Sequence, residues 1–543
     1  MKFSVRLPFE AIYILAKLKQ ADFDSYLVGG AVRDTLLNSL NIPETDTVVQ
    51  EITDFDFTTD AQPNQIQELF AESFYTNEFG TVGIGYENLL NQIESDGLSL
   101  PEENIKSRLN RGQKKPEPFI TLEDISKVHQ SLQKNAKKIA QKLETKPEIP
   151  PPFEITTYRS EGVYRDYRRP TSVEWGKSIE QDLERRDFTI NAMALTVNEE
   201  ALSSFLNDSH NLSSVVEFSP KQYQLVDEHQ GLTDLNKHLI RTVRSPDERF
   251  SEDALRMLRA VRFAVQLKME IEELTLESIR TNAMLITNIS WERISGEFLK
   301  MLASDQPDRA IELLDETGLL SFILPELKKT KKVEQGGHHT TDVWVHTLDS
   351  LANCPSKDPI VRLAVLLHDI GKPQTYKVRE GEITFYNHEI VSSHMADKIG
   401  KRFKLSNQQR ERLCNLVRHH MFYYQPNHSD AAVRRMIKRI GIENIDDILA
   451  MREADRVGSG VDKTSWRLEE LKQRIIEQLN QPFDLTDLAI DGGDLIQELN
   501  LKPGPIIGQI LDELMNRVLA NPNLNKKDRL VAEAKELKKD LEK

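Results

Sequence analysis

The segment Asp54-Phe55-Asp56-Phe57-Thr58-Thr59 constrains the fold most, because carboxylate and apolar side chains alternate along it. A strand repeats every two residues, so the pattern buries the phenylalanines on one face and turns both aspartates to the other, into a cleft. Ser25 to Val28 reads as a short strand ending in Gly29-Gly30, followed by a helix from Ala31 to Leu37. Thr81 to Gly85 and Phe153 to Tyr158 read as further strands, and Pro8 to Lys19 has helical apolar spacing. From Ile179 onward the pattern is helical in long blocks, broken around Asn207 to Pro220 and at Gly336-Gly337. Sheet first and helices afterwards is an α+β organisation, and 543 residues at roughly 150 per domain predict several domains.

Between Ile84 and Glu154 the chain carries a Lys/Gln-rich helical stretch, Leu122 to Lys142, and a proline exit at Pro147 and Pro150 to Pro152. This reads as an insertion at about 87–150, a solvated spacer outside the host's core. Apolar runs such as Leu363 to Leu367 and Ala192 to Leu195 fall far short of the ~20 residues that cross a bilayer. The N-terminus MKFSVRLPFEAIYILAKLK lacks an apolar export segment, so the expectation is a cytoplasmic protein without membrane contact. Cys354 and Cys414 form no CxxC pair and read as reduced structural thiols. A net charge of −15 is the wrong sign for binding nucleic acid through bulk charge. Locally, however, Arg241, Arg244, Arg249, Arg256, Arg259, Arg262 and Lys268 make a segment that could face a polyanion.

Two carboxylates on one strand face can share Mg²⁺ ions, which suits phosphoryl transfer, where charge spread over phosphate oxygens must be neutralised. Gly29-Gly30 before a helix lets backbone N–H groups approach a triphosphate. Both features have plainer readings: aspartates at a strand end arise by chance, and the glycines serve any strand-to-helix turn that needs positive φ. Asp253 and Arg256 are three apart on one helix face, while Leu255, Leu258, Val261 and Val265 line another. A carboxylate acceptor beside guanidinium donors can imitate the Watson–Crick edge of a base, or simply form an ion pair.

Six ordered segments carry a resemblance. LVGGAVRDTLL (Leu27 to Leu37), DFDFTTDA (Asp54 to Ala61), FGTVGI (Phe79 to Ile84), ITTYRSEGVYRDYRRPTSVEW (Ile155 to Trp175), SIEQDLERRDFTINAMA (Ser178 to Ala194) and IRTVRSPDERFSEDALRMLRAVRF (Ile240 to Phe263) resemble the motifs of bacterial class II tRNA nucleotidyltransferases, the CCA-adding enzymes. The resemblance implies a polymerase β-like palm with a small mixed sheet, then a mostly helical neck and body. It implies untemplated addition of C, C and A, from CTP and ATP, to the tRNA 3′ end. Asp54 and Asp56 match the family's Mg²⁺-binding pair, and Gly29, Gly30 and Arg33 its triphosphate-binding turn. Arg185, Arg186, Asp187 and Asn191 fall in the motif lining the nucleotide site, and Asp253 and Arg256 in the base-reading motif, with Arg259 beside them. Glu154 is a candidate third carboxylate. The family's short mobile connection, implicated in switching from C to A addition, lies where this chain has its insertion. The same motifs also permit A-only or poly(A) addition.

Nine of the 13 histidines lie between His338 and His428. His346, the pair His368-Asp369, and Asp455 follow an H…HD…D order, and His388, His394, His419 and His420 offer further ligands. Imidazole with carboxylate suits one divalent transition metal, or two bridging a hydroxide that attacks phosphate. The helix Ile360 to Asp369 stops at Gly371 and Pro373, presenting His368-Asp369 at its C-terminus. LLHDIGKP resembles the HD phosphohydrolase domain, which implies a divalent metal held by His346, His368, Asp369, His394, His419 and Asp455, with His388, His420 and His428 outside the ligand set. The implied activity is hydrolysis of phosphomonoesters or 2′,3′-cyclic phosphates; the competing reading makes the chain such a hydrolase with an N-terminal half that only binds RNA. The domains expected are palm 1–200, neck and body 201–330, HD domain 331–480 and helical tail 481–543.

Overall fold

The computed structural model describes residues 3–40, 52, 54–76, 80–98, 151–161, 164–165, 169–170, 173–176, 178–207, 215–336, 341–479 and 481–541. They divide into two compact units, one running to Pro325 and the other from Glu326. Palm and neck thus share one unit, and the histidine-rich region and tail share the other.

The first unit is organised by a seven-stranded sheet. From one edge to the other its strands are Tyr223–Val226, Ala194–Val197, Tyr26–Val28, Asp56–Thr59, Phe153–Thr157, Thr81–Ile84 and Phe74–Tyr75. Asp56–Thr59 and Phe153–Thr157 run parallel, and the other neighbours antiparallel. The expected alternation holds: Phe55 and Phe57 are buried, whereas Asp54 is exposed and Asp56 half-buried. The strand opens at Asp56, not Asp54, although the Glu154 amide still donates to the Phe55 carbonyl at 3.3 Å. Val28, Tyr158, Ile179, Leu183 and Ala194 form a core on the sheet.

Two expected boundaries move. The strand Tyr223–Val226 completes the sheet, so the palm extends beyond residue 200. The helix Tyr86–Ser95 belongs to the host's core: Leu89 and Ile93 are buried, and Tyr86 donates to Glu10 at 2.9 Å. Tyr13 and Lys17 both bind Asp96, at 2.6 and 2.5 Å. The insertion therefore starts after these residues; the rest of it, including Leu122 to Lys142, lies outside the described residues.

Downstream, Ser245 and Pro246 start the helix Pro246–Glu252, an extended Asp253 ends it, and Leu255–Leu267 follows until Lys268 turns left-handed. Trp291–Leu302 packs against Leu255–Leu267.

In the second unit the helices Val343–Ala352, Pro359–Leu367, His388–Arg402, Asn407–His419 and Ile445–Gly458 enclose the histidines. Asp342, Asp358 and Ser406 cap three of them by accepting bonds from their first-turn amides. Gly371 is required by close approach: a Cβ there would lie 2.8 Å from both the His388 carbonyl and the Ser392 amide. The tail is held by buried Arg434, which donates to the Leu519 carbonyl at 2.7 Å.

Candidate active site

Asp56 and Glu154 are direct partners across the parallel strands, with Asp54 just ahead of them. Burial, then the neighbouring charges of Asp54 and Glu154, push the Asp56 carboxyl up to about 6, against the pull of Arg186. Loss of water contact raises Asp54 too, opposed by Lys300, and raises Glu154 together with the charge of Asp54. Three carboxylates that resist ionising together form a site a divalent cation would relieve, so the residues fit the expected Mg²⁺. Their oxygens are nevertheless not gathered as tightly as the histidine ligands described below, which are the groups converging within 4.8 Å among the described residues.

Gly29 adopts φ +71°, and the place its Cβ would occupy lies 2.9 Å from Arg186 Nη1 and 3.7 Å from Asp56 Oδ2. The missing side chain admits a cation beside the carboxylates. Gly30 begins the helix Gly30–Leu40, so the turn also presents helix-start amides. Arg33, nearly buried, binds Asp34 at 2.8 Å and donates from Nη1 to Asn191 Oδ1 at 2.8 Å. Asn191 in turn donates to Asp187 Oδ1 at 3.3 Å. Although burial pushes the Asp187 carboxyl up, Arg259 and then Arg256 outweigh it and hold the group below the usual carboxylate range.

Arg185 and Arg186 share one anchor. Asp182, fully buried one turn earlier, accepts from Arg185 Nη2 at 2.7 Å and from Arg186 Nη2 at 3.1 Å. Its spacing of three and four residues before the arginines was the signal that could have found it. Arg256 binds Glu252 and the carbonyls of Arg249 and Arg185, at 3.0 and 3.2 Å for the latter two. Arg33, Arg259 and Arg262 surround the ring of Phe263, with guanidinium carbons 5.3, 5.3 and 4.0 Å from its centroid. Sequence reasoning missed Phe263, and missed the helix Trp291–Leu302, whose Arg293 grips Asp253 at 2.6 Å and whose Glu297 binds Arg262 at 2.6 Å.

Much of the basic segment is paired internally, while Arg244 and Lys268 stay exposed and Arg241 partly so. Arg241 pairs with Asp234, Arg244 with Glu184, Arg249 and Arg256 with Glu252, Arg259 with Asp187 and Arg262 with Glu297. Its charge is largely spent in building the site.

In the second unit His346, His368 and Asp369 converge as one possible metal-ligand group, and Asp369, His388 and His420 as another. All five are buried, and Asp369 belongs to both. His346 Nε2 stands 3.4 Å from Asp369 Oδ2 and 3.3 Å from Asp455 Oδ1; His388 Nε2 stands 3.2 Å from Asp369 Oδ1. The Nδ1 atoms of His368, His388 and His420 face the carbonyls of Val365, Phe385 and Val417, at 2.6, 2.9 and 2.8 Å. Donation from Nδ1, three residues back each time, leaves every Nε2 lone pair turned inward, as a ligand needs. Lys372 binds Asp369 Oδ2 at 2.6 Å.

The expected ligands His394 and His419 are corrected. His394 is exposed, His419 is half-buried, and neither is in either group. Their places are taken by His388, at the start of its helix, and His420, one residue after the end of Asn407–His419, where backbone ends aim the rings inward. His428 is likewise outside the groups.

Comparison with known proteins matches three family models. The poly A polymerase head domain matches residues 25–119 and 116–241, the probable RNA and SrmB-binding site of polymerase A residues 268–331, and tRNA nucleotidyltransferase domain 2 residues 384–534. The CCA-adding enzyme of Pediococcus pentosaceus is 28% identical over 531 residues, 98% of each chain. That of Streptococcus thermophilus is 27% identical over 523 residues, 96% of this chain and 95% of the relative. Among solved structures, the Bacillus stearothermophilus CCA-adding enzyme in complex with CTP superposes with a TM-score of 0.59 at 23% identity, covering 98% of both chains. An apo form of a CCA-adding enzyme gives 0.52 at 16% identity, covering 97% of this chain and 98% of the other. These likenesses establish a common fold.

Proposed function

We propose that the chain belongs to the class II tRNA nucleotidyltransferase family of CCA-adding enzymes and poly(A) polymerases, and that it adds C, C and A from CTP and ATP to the tRNA 3′ end. The observation that carries this is a pair of polar paths from the expected glycine turn to the expected base-reading helix, the first of them with Arg186 close enough to act on the charge of Asp56. Gly29 makes room for Arg186; Arg186 and Arg185 share Asp182; the Arg185 carbonyl holds Arg256. Arg33, Asn191, Asp187 and Arg259 form a second path from the glycine turn to the base-reading helix. Linked turn and base-reading helix, with the carboxylates beside them, support nucleotidyl transfer, which needs its reacting groups held in fixed positions.

In the reaction the RNA 3′ oxygen forms a bond to the α-phosphorus and the bond to pyrophosphate breaks. Mg²⁺ held by Asp54 and Asp56, with Glu154 beside them, would supply neutralisation of phosphate charge and alignment of the attacking hydroxyl. Arg33, held by Asp34 and the Asn191 amide, and Arg186, held by buried Asp182, face the triphosphate from the glycine turn. Asp253 accepts from the exocyclic amine of cytosine or adenine, and Arg256 donates to the ring nitrogen beside it. Untemplated selection then rests on protein hydrogen bonds alone.

The test is extension of tRNA lacking its 3′ terminus, with Mg²⁺ and CTP alone, ATP alone, or both. CCA addition predicts two cytidines with CTP alone and complete ends with both. Adenosine incorporated without prior cytidines identifies an A-adding or poly(A) product, and no extension overturns the reading.

A second activity is supported by the buried histidine cluster: metal-dependent hydrolysis of phosphomonoesters or 2′,3′-cyclic phosphates by an HD-type domain. His346, His368, His388 and His420 with Asp369 and Asp455 would hold divalent metal, which would supply a hydroxide to attack phosphate, and Asp369 belongs to both ligand groups. Replacing His368 and Asp369 together with alanine should abolish metal-dependent release of phosphate from a 3′-phosphorylated nucleotide and spare tRNA extension. Retained hydrolysis sinks this second activity, and loss of extension on replacing Asp54 and Asp56 separates the two sites.

A further inference from the structure

Asp253 has more partners than a base reader needs. Its Oδ1 accepts the Leu255 amide at 3.1 Å, which starts the helix Leu255–Leu267. Arg293 then takes the carboxylate with both terminal nitrogens, Nη1 to Oδ1 at 3.3 Å and Nη2 to Oδ2 at 2.6 Å. A carboxylate offers roughly four acceptor positions in its plane. Contacts among the described residues fill two on Oδ1 and one on Oδ2, which leaves one, on Oδ2.

Arg293 comes from Trp291–Leu302, one helical turn before Glu297, and Glu297 pairs with Arg262 on the helix that Asp253 precedes. Two ion pairs on one face, four residues apart, fix the axial position of one helix against the other. Arg293 is therefore not a stray surface cation but part of a helix aligned on the site.

We propose that Arg293 is a specificity-determining positioning residue: by filling two acceptor positions of Asp253 beside the one taken by the Leu255 amide, it leaves a single lone pair that takes an amine hydrogen of cytosine or adenine and repels the carbonyl of uracil or guanine. This rests on the nucleotide-addition reading above. A bidentate guanidinium holds a carboxylate in one plane, which a lysine ammonium does less well. Without it, Asp253 turns about its χ angles, and a rotated carboxylate or an intervening water can accommodate the wrong base edge.

The test is incorporation of each of CTP, ATP, UTP and GTP into trimmed tRNA by full-length wild type, Arg293→Ala, Arg293→Lys, Asp253→Asn and the Arg293→Ala/Asp253→Asn pair. Arg293→Ala should lower discrimination of CTP over UTP and of ATP over GTP by about tenfold, with KM moving more than kcat. Arg293→Lys should recover part of it. In the Asp253→Asn background Arg293→Ala should cost no further discrimination, because it acts through that carboxylate. Undiminished discrimination in folded Arg293→Ala, or losses that simply add in the double variant, overturns the proposal. If Arg293→Ala does not fold, the same cycle with Arg293→Lys decides. Wild-type protein that extends tRNA with neither CTP nor ATP overturns the parent reading and this one together; wild-type extension with indifferent Arg293 variants sinks this one alone.

Discussion

Arg259 reaches Asp187 with both Nε and Nη2, each 2.6 Å from Oδ2, and so ties the helix Leu255–Leu267 to the turn before Thr189. Asp187 is nearly buried, and the net effect of its surroundings is a depressed carboxyl. A depressed carboxyl contributes stability above its unfolded pKa, which is lost as pH falls through the carboxylate range. Arg259→Ala should therefore lower unfolding stability by about 2 kcal/mol at pH 7, reduced from the buried-pair figure because Arg259 is partly exposed. The difference should shrink towards pH 3 in parallel denaturant titrations.

Asp56 titrates the other way. With its carboxyl pushed up to about 6, the folded metal-free protein favours the protonated form, and ionisation above that pH destabilises it. Asp56→Asn should raise the metal-free Tm at pH 8, with the gain vanishing below pH 4. It should also cut tRNA extension by a factor on the order of 100 or more. A lower Tm at pH 8 would contradict the crowding of carboxylates.

Gly29→Ala combines a positive φ with a Cβ 2.9 Å from Arg186 Nη1. The backbone alone should cost about 1 kcal/mol. Displacement of Arg186 should raise the KM for both nucleotides. Gly508→Ala, where a Cβ meets nothing within 4 Å, is the control; equal effects would remove the special role of Gly29.

The histidine cluster predicts a count. Calorimetric titration with Mn²⁺ of protein carrying Asp54→Ala and Asp56→Ala should find two ions in the second unit. His388→Ala with His420→Ala should leave one, held by His346, His368, Asp369 and Asp455. One ion before and after would mean that the two ligand groups hold a single ion.

The palm was legible because its signals are local. Alternation at Asp54 to Thr59 and the glycine turn at Gly29 depend on neighbours two residues away, and each folded as expected apart from the strand's first two residues. Ala194–Val197 and Tyr223–Val226 both fall in the stretch read as helical: the first is buried almost throughout and shows no alternation, and the second is half-exposed with its partner some distance earlier in the chain. Arg293 was invisible for the same reason: its partner Asp253 is 40 residues away. The histidine ligands were misassigned because spacing says which residues share a helix face, not where the helix stops. His420 is a ligand candidate and His419 is not because the helix ends between them.

Asp182 serves both Arg185 and Arg186 from inside the core. Neither guanidinium can then be reckoned as an independent contributor, since deleting one tightens or misdirects the grip on the other. Substitutions in this trio should be epistatic, and tolerated replacements should turn up as matched sets.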